Sequence, residues 1–182
     1  MENEDVVLTL EKLGWRCLKD EAGDFFCLAN VSDVLVQVIP SVAKRSGYFR
    51  FSLMPSVSTE SFTRAVEVVL GEQKIFVPIL VKNELPEKVV GLALDDIVRH
   101  SEDAISWASA QDIEIGLSNY CALPTDSKGA MPLRHLAALA LAGDVETLKK
   151  YKRCFEQGDR LGFASYINDE MIGRAVLIAS NV

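Results

Sequence analysis

The chain has 182 residues, 49% of them apolar, and 19 Lys and Arg against 26 Asp and Glu, for a net charge of −7. This length suits one domain with a sizeable core, and the charge excludes a basic nucleic-acid footprint. Residues 1–91 carry 10 basic and 13 acidic residues and residues 92–182 carry 9 and 13, so neither half is a charged tail.

The N-terminal MENEDVVLTLEKLGW lacks the basic and apolar regions of a signal peptide, and no apolar run is long enough to span a bilayer. A cytoplasmic protein without membrane contact is therefore expected. Residues 5–13 read as a short amphipathic helix with Val6, Leu10 and Leu13 on one face and Gly14 as its stop. A β-meander follows. WRCLKD and DFFCLANV flank the loop Glu21-Ala22-Gly23, and symmetry about Ala22 pairs Cys17 with Cys27. A reducing cytoplasm predicts that these two cysteines, like Cys121 and Cys154, are thiols. Val34 to Ile39 is almost continuously apolar, the pattern of a central strand covered on both faces. Tyr48 to Met54 alternates, with Phe49, Phe51 and Leu53 facing the core.

Ser58 is expected to cap a helix whose stripe is Phe62, Ala65, Val66, Val69 and Leu70, ended by Gly71. Lys74 to Val81 reads as a strand that Pro78 confines to a sheet edge. Helices are then predicted over Leu92–Arg99 and Ser101–Leu117, with Ser101 as the second cap. After the loop CALPTDSKGAMP, Pro132 opens a helix with Leu133, Leu136, Ala137, Ala140 and Leu141 inward. Gly143-Asp144 turns the chain into a partner helix carrying Val145, Leu148, Tyr151 and Phe155. A last helix starts near Asn168, with Ile172, Ala175, Val176 and Ala179 as its stripe. Strands early and helices late argue an α+β fold, an N-terminal antiparallel β-meander packed by helices followed by a mostly helical C-terminal half. The expected organisation is a single domain over 1–182, with 1–82 and 83–182 sharing one core.

Catalytic and metal patterns are absent. Two histidines leave few ways to build a triad or zinc site, and neither GxSxG nor HExxH occurs. Asp96, His100 and Asp103 would share a helix face only if Ser101 did not break the helix between them. Gly129 in Ser127-Lys128-Gly129 lacks P-loop spacing. Lys149, Lys150, Lys152 and Arg153 read as the wet face of a helix. The better candidate is acidic: Asp95, Asp96, Glu102, Asp103, Asp112 and Glu114 put six carboxylates within twenty residues. Such a patch would steer a basic protein partner.

Residues 131–151, MPLRHLAALALAGDVETLKKY, resemble one ankyrin repeat in Pro132-Leu133, Leu136-Ala137-Ala138 and Gly143-Asp144-Val145. Met131 stands where that family has threonine and His135 is displaced by one position. No second copy occurs, so the resemblance implies a helix pair and not an array. Residues 5–71, a helix, a meander and a second helix, are similar in order to the small acidic chaperones of type III secretion, which usually act as homodimers. The chain's character, acidic and without a chemical motif, resembles bacterial immunity proteins. That resemblance implies a non-catalytic protein, with no cofactor and no metal, that neutralises a secreted antibacterial toxin by binding its basic domain. A secretion-effector chaperone and an enzyme of unrecognised class are the alternatives.

Overall fold

The computed structural model describes residues 2–182. In chain order its elements are α1 (Asn3–Lys12), β1 (Arg16–Lys19), β2 (Phe25–Val31), β3 (Val34–Val38), β4 (Ser41–Arg45), β5 (Tyr48–Ser52), β6 (Ser56–Ser58), α2 (Glu60–Leu70), β7 (Leu80–Val81) and β8 (Glu87–Val89). Helices follow without further strands: α3 (Leu94–Ser109), α4 (Ile113–Cys121), α5 (Met131–Leu141), α6 (Val145–Glu156) and α7 (Asp169–Ala179). The fold is α+β, with the strands in the first half and a mostly helical second half.

Two compact units form, Met1–Thr59 with Leu80–Gln111, and Glu60–Ile79 with Asp112–Val182. The first holds both sheets. One is antiparallel in the order β1-β2-β3-β6-β7 and the other in the order β4-β5-β8. A single meander sheet was the expectation. It divides because Ser41–Arg45 folds back on β5 as a hairpin, which leaves β3 free to pair with the three-residue β6. β3 is central as expected, but only Val36 and Val38 are buried while Leu35 and Gln37 remain half-exposed. α1 and α3 pack on each other and on this sheet. Val6, Leu10, Val36, Phe51, Val57 and Ile97 form its dry centre, all fully buried.

The first hairpin has the expected register, with Cys17 opposite Cys27. Gly23 takes φ +88 in its loop, where a side chain would be strained. The Asp20 carboxylate accepts from the Ala22 and Asp24 amides and closes the turn. The expectation of reduced thiols does not hold here, because Cys17 and Cys27 are joined by a disulfide with Cα atoms 3.9 Å apart. The register supplies the geometry for the bond: directly opposed residues project to the same sheet face, where two sulfurs meet. Cys121 and Cys154 are free thiols.

In the helical unit α5 packs against α2, α4, α6 and α7, and α7 also meets α2 and α6. Every residue of α5 from Leu133 to Ala140 except Arg134 is buried, so this helix is the unit's axis. Its alanines at 137, 138 and 140 allow close approach on several sides. The turn to α6 lies at Gly143, φ +68, and Asp144 caps α6 by accepting from the Thr147 amide at 3.0 Å. Ser58 ends strand β6 and α2 starts two residues later, at Glu60. Of the strand expected over 74–81, only Leu80–Val81 pairs, at the edge of its sheet. Among the described residues no helix is long and apolar enough to cross a membrane.

Candidate functional site

Most of the carboxylates singled out by sequence lie on α3. The Ala93 amide donates to the Asp96 carboxylate at 2.9 Å, and Asp95 and Asp96 occupy the first turn, where negative charge suits the helix dipole. The helix then runs unbroken through Ser101, contrary to the expected stop there. Ser101 is turned inward, 3% exposed, and its hydroxyl accepts from the Trp15 indole N–H at 2.8 Å. A buried indole donor needs such a partner, and a serine that serves it is not available to cap.

Continuity through Ser101 sorts α3 into faces. Ile97, Ser101, Ala104 and Ala108 are buried. Asp95 and Glu102 are exposed and, among the described residues, make no ion pair or side-chain hydrogen bond. Asp96, Arg99, His100 and Asp103 border the segment that carries β8. Arg99 grips the Glu87 carboxylate with two nitrogens at 3.1 to 3.2 Å and reaches Asp96 at 3.4 Å. The hydrogen-bonded Glu87 carboxylate holds the Arg99 guanidinium more firmly protonated than usual. His100 is not paired with Asp96 or Asp103. Its Nε2 lies 2.9 Å from Glu87, and its ring meets Phe51 edge-on at 4.8 Å. Glu87 is therefore the centre of the cluster, and no spacing signal could reveal it from thirteen positions away along an irregular segment.

Beside this cluster lies a cleft of about 160 Å³ bordered by Phe51 and Ser52 of β5, Lys82, Glu84, Leu85 and Asp103. The segment that forms its outer wall is unusually apolar on the outside: Val81 is 50% exposed, Leu85 93%, Val90 84% and Leu94 60%. Thirteen large apolar residues are exposed among the described residues, and four of them fall in these fourteen positions. Scattered apolar residues need no explanation, whereas a concentration of them does.

Asp112 and Glu114 belong to the helical unit. Asp112 caps α4, accepting from the Ile115 amide at 3.0 Å, and Glu114 is exposed in the first turn of that helix. The six carboxylates therefore divide between the two units, and two of them, Asp96 and Asp112, already serve their own helix ends. Lys149, Lys150 and Arg153 lie exposed on α6, without ion-pair partners among the described residues. In the Ser127-Lys128-Gly129 loop the Met131 amide bonds back to Lys128 and the Arg134 amide to Ala130, and the Tyr166 hydroxyl donates to the Gly129 carbonyl.

His135 is the centre of the helical unit and 2% exposed. Its Nδ1 is 2.8 Å from the Tyr120 carbonyl, which only accepts, so this nitrogen carries the proton and Nε2 accepts from the Tyr151 hydroxyl at 3.1 Å. Burial pushes its pKa below the ordinary histidine value, more than the Tyr120 carbonyl and the Asp144 charge raise it. The Tyr120 hydroxyl in turn donates toward the Pro78 and Ile79 carbonyls and accepts from Arg134 at 2.9 Å, while its ring stacks on Phe62. The Tyr120–His135–Tyr151 chain crosses three helices and leaves no local pattern. Among the described residues no group of three or more His, Cys, Asp or Glu is placed to hold a metal ion. A family profile described as a family of unknown function, DUF6990, matches residues 2–180. No curated protein and no solved structure matches the chain.

Proposed function

We propose, from the premise that this chain belongs to the family of unknown function DUF6990, that it is a non-catalytic protein-binding protein. The reading it supports best is an immunity protein that neutralises a secreted antibacterial toxin by covering a basic surface. One observation carries this: the exposed apolar residues Leu85, Val90 and Leu94 lie in and at the end of the segment leading into α3, whose outward carboxylates Asp95 and Glu102 have no basic partner. Apolar anchors beside unpaired charge of one sign suit a protein surface of opposite charge. A toxin domain that grips nucleic acid has such a surface.

In this reading a toxin acting on cytoplasmic nucleic acid requires a cytoplasmic partner, where the Cys17–Cys27 bond is subject to reduction. A secretion chaperone, acting as a homodimer on an extended segment, is the second reading, favoured by the succession of α1 and the β1–β3 meander.

The experiment pairs this chain with the product of the neighbouring reading frame and follows association at two ionic strengths. Changing Asp95 and Glu102 to Lys is expected to slow association about tenfold or more at low salt and to flatten its salt dependence. The melting temperature should fall only slightly, because both carboxylates are exposed and only Asp95 gains from the helix dipole. Association as fast as the parent's, with the same salt dependence, removes this face as the interface. Protection of cells by the parent but not by the variant completes the case for immunity.

A further inference from the structure

The cleft beside Glu87 holds more acceptors than the chain itself uses. Its two cations are already matched: Lys82 lies 2.7 Å from Glu84, and Arg99 is forked onto Glu87. His100 also turns to Glu87. Asp103 is the remaining carboxylate in the lining and has no ion pair or hydrogen bond among the described residues. Beside His100, the lining therefore sets two basic side chains, Lys82 and Arg99, against three carboxylates, Glu84, Glu87 and Asp103. Independently of the charges, Ser52 lines the same cleft and is 2% exposed, and its hydroxyl is buried without a hydrogen-bond partner among the described residues. Folded proteins leave few such hydroxyls unsatisfied, and one that borders a cleft points to a group supplied from outside.

That group must donate hydrogen bonds and bring a single positive charge. An anion does not suit, since both basic side chains are paired and the surplus is negative. A metal ion does not suit either, for no three His, Cys, Asp or Glu converge among the described residues. We infer that the cleft receives one alkylammonium or guanidinium group, held by the Asp103 carboxylate and the Ser52 hydroxyl. Both such groups carry several N–H donors and no acceptor, and Glu84 and Glu87 retain lone pairs beyond those their partners occupy. Pro55 and the exposed Leu85 offer apolar wall for the methylenes behind the charge. The cleft's volume of about 160 Å³ suits the end of one side chain or a short amine and excludes a larger ligand. The source of the group is either a lysine or arginine of a protein partner, which rests on the function proposed above, or a free amine.

The test is an NMR titration of the isotope-labelled full chain with four probes: N-acetyl-arginine amide, N-acetyl-lysine amide, N-acetyl-citrulline amide as the neutral isostere, and putrescine. Saturable shifts of the Ser52 and Asp103 signals are expected with the cations, with affinity for citrulline lower by about tenfold or more. Asp103→Asn should weaken the cations by a similar factor, and Ser52→Ala by a few-fold, both with otherwise unchanged spectra. Tighter binding of the capped amino acids assigns the site to a partner's side chain, and tighter binding of putrescine assigns it to a free amine. Equal shifts with citrulline, shifts spread over all surface carboxylates without saturation, or an Asp103→Asn variant that binds as the parent does would overturn the inference. Saturable binding in a chain whose Asp103→Asn variant still associates normally with the neighbouring gene product would keep the cleft and separate it from the partner interface.

Discussion

The chain's two histidines stand in regions built on opposite terms. His135, in the helical unit, has both ring nitrogens committed, one to a backbone carbonyl and one to Tyr151, inside a shell that also includes Phe163. His100, in the sheet-bearing unit, uses one nitrogen on an exposed glutamate at the rim of a cleft where Asp103 and Ser52 have nothing to bind. The helical unit has an orphan atom too, the buried Nε of Arg134, but that guanidinium already donates to Tyr120 and lies over its ring. The comparison teaches that residue type does not distinguish a structural group from a binding group. What distinguishes them is whether the neighbours exhaust its hydrogen-bonding capacity.

If the helical unit is the region committed to packing, its core substitutions should have the largest effects. Leu136 and Leu148 are both 0% exposed. Changing either to Ala should cost about 2–5 kcal/mol, read by urea denaturation, and a loss below 1 kcal/mol would show that the helix pair can collapse around the gap. The sheet-bearing unit offers a different tie. The Cys17–Cys27 bond closes a loop with a sequence separation of 10, so its reduction or Cys17→Ser should cost about 2–4 kcal/mol. Denaturation with and without reductant measures this, and thiol labelling in cells tells whether the bond forms where the protein works. An unchanged midpoint on reduction would mean that register alone holds the hairpin.

The smallest effect, and the one that sharpens the contrast between the histidines, depends on pH. The folded pKa of His135 is lowered, so the unfolded chain takes up a proton first as pH falls past about 6.5. The unfolded state then binds more protons, and stability contributed by neutral His135 is present above about pH 6.5 and is lost as pH falls toward the lower folded value. Denaturation midpoints between pH 7.5 and 5.5 should decline in the parent and be flatter in His135→Gln. Equal slopes in parent and His135→Gln would place the titrating group elsewhere.

Much of the local architecture was legible in the chain. The hairpin register followed from Gly23 and symmetry about Ala22, the α5–α6 turn from Gly143-Asp144, and the start of α7 from Asn168, whose side chain accepts from the Met171 amide at 2.9 Å. These are short-range effects, set by residues that need positive φ or that satisfy amides two or three positions away. The helix across Ser101 was misread because its cap signal is local while its partner, Trp15, is 86 positions away. Strands β6 and β8, three residues each, carry no periodicity and exist only because β3 and β5 offer them an edge.

The candidate site divides in the same way. Composition located the acidic residues of α3, and capping chemistry alone accounts for Asp96 and Asp112. That Glu87 gathers Arg99 and His100, that Ser52 is buried without a partner beside Asp103, and that Leu85 and Val90 stay outside were decided by tertiary structure. Hydrogen-bond saturation and exposure are properties of neighbours in space. For residues drawn from β5, the β8 segment and α3, those neighbours are far apart in the chain, and no pattern along it encodes them.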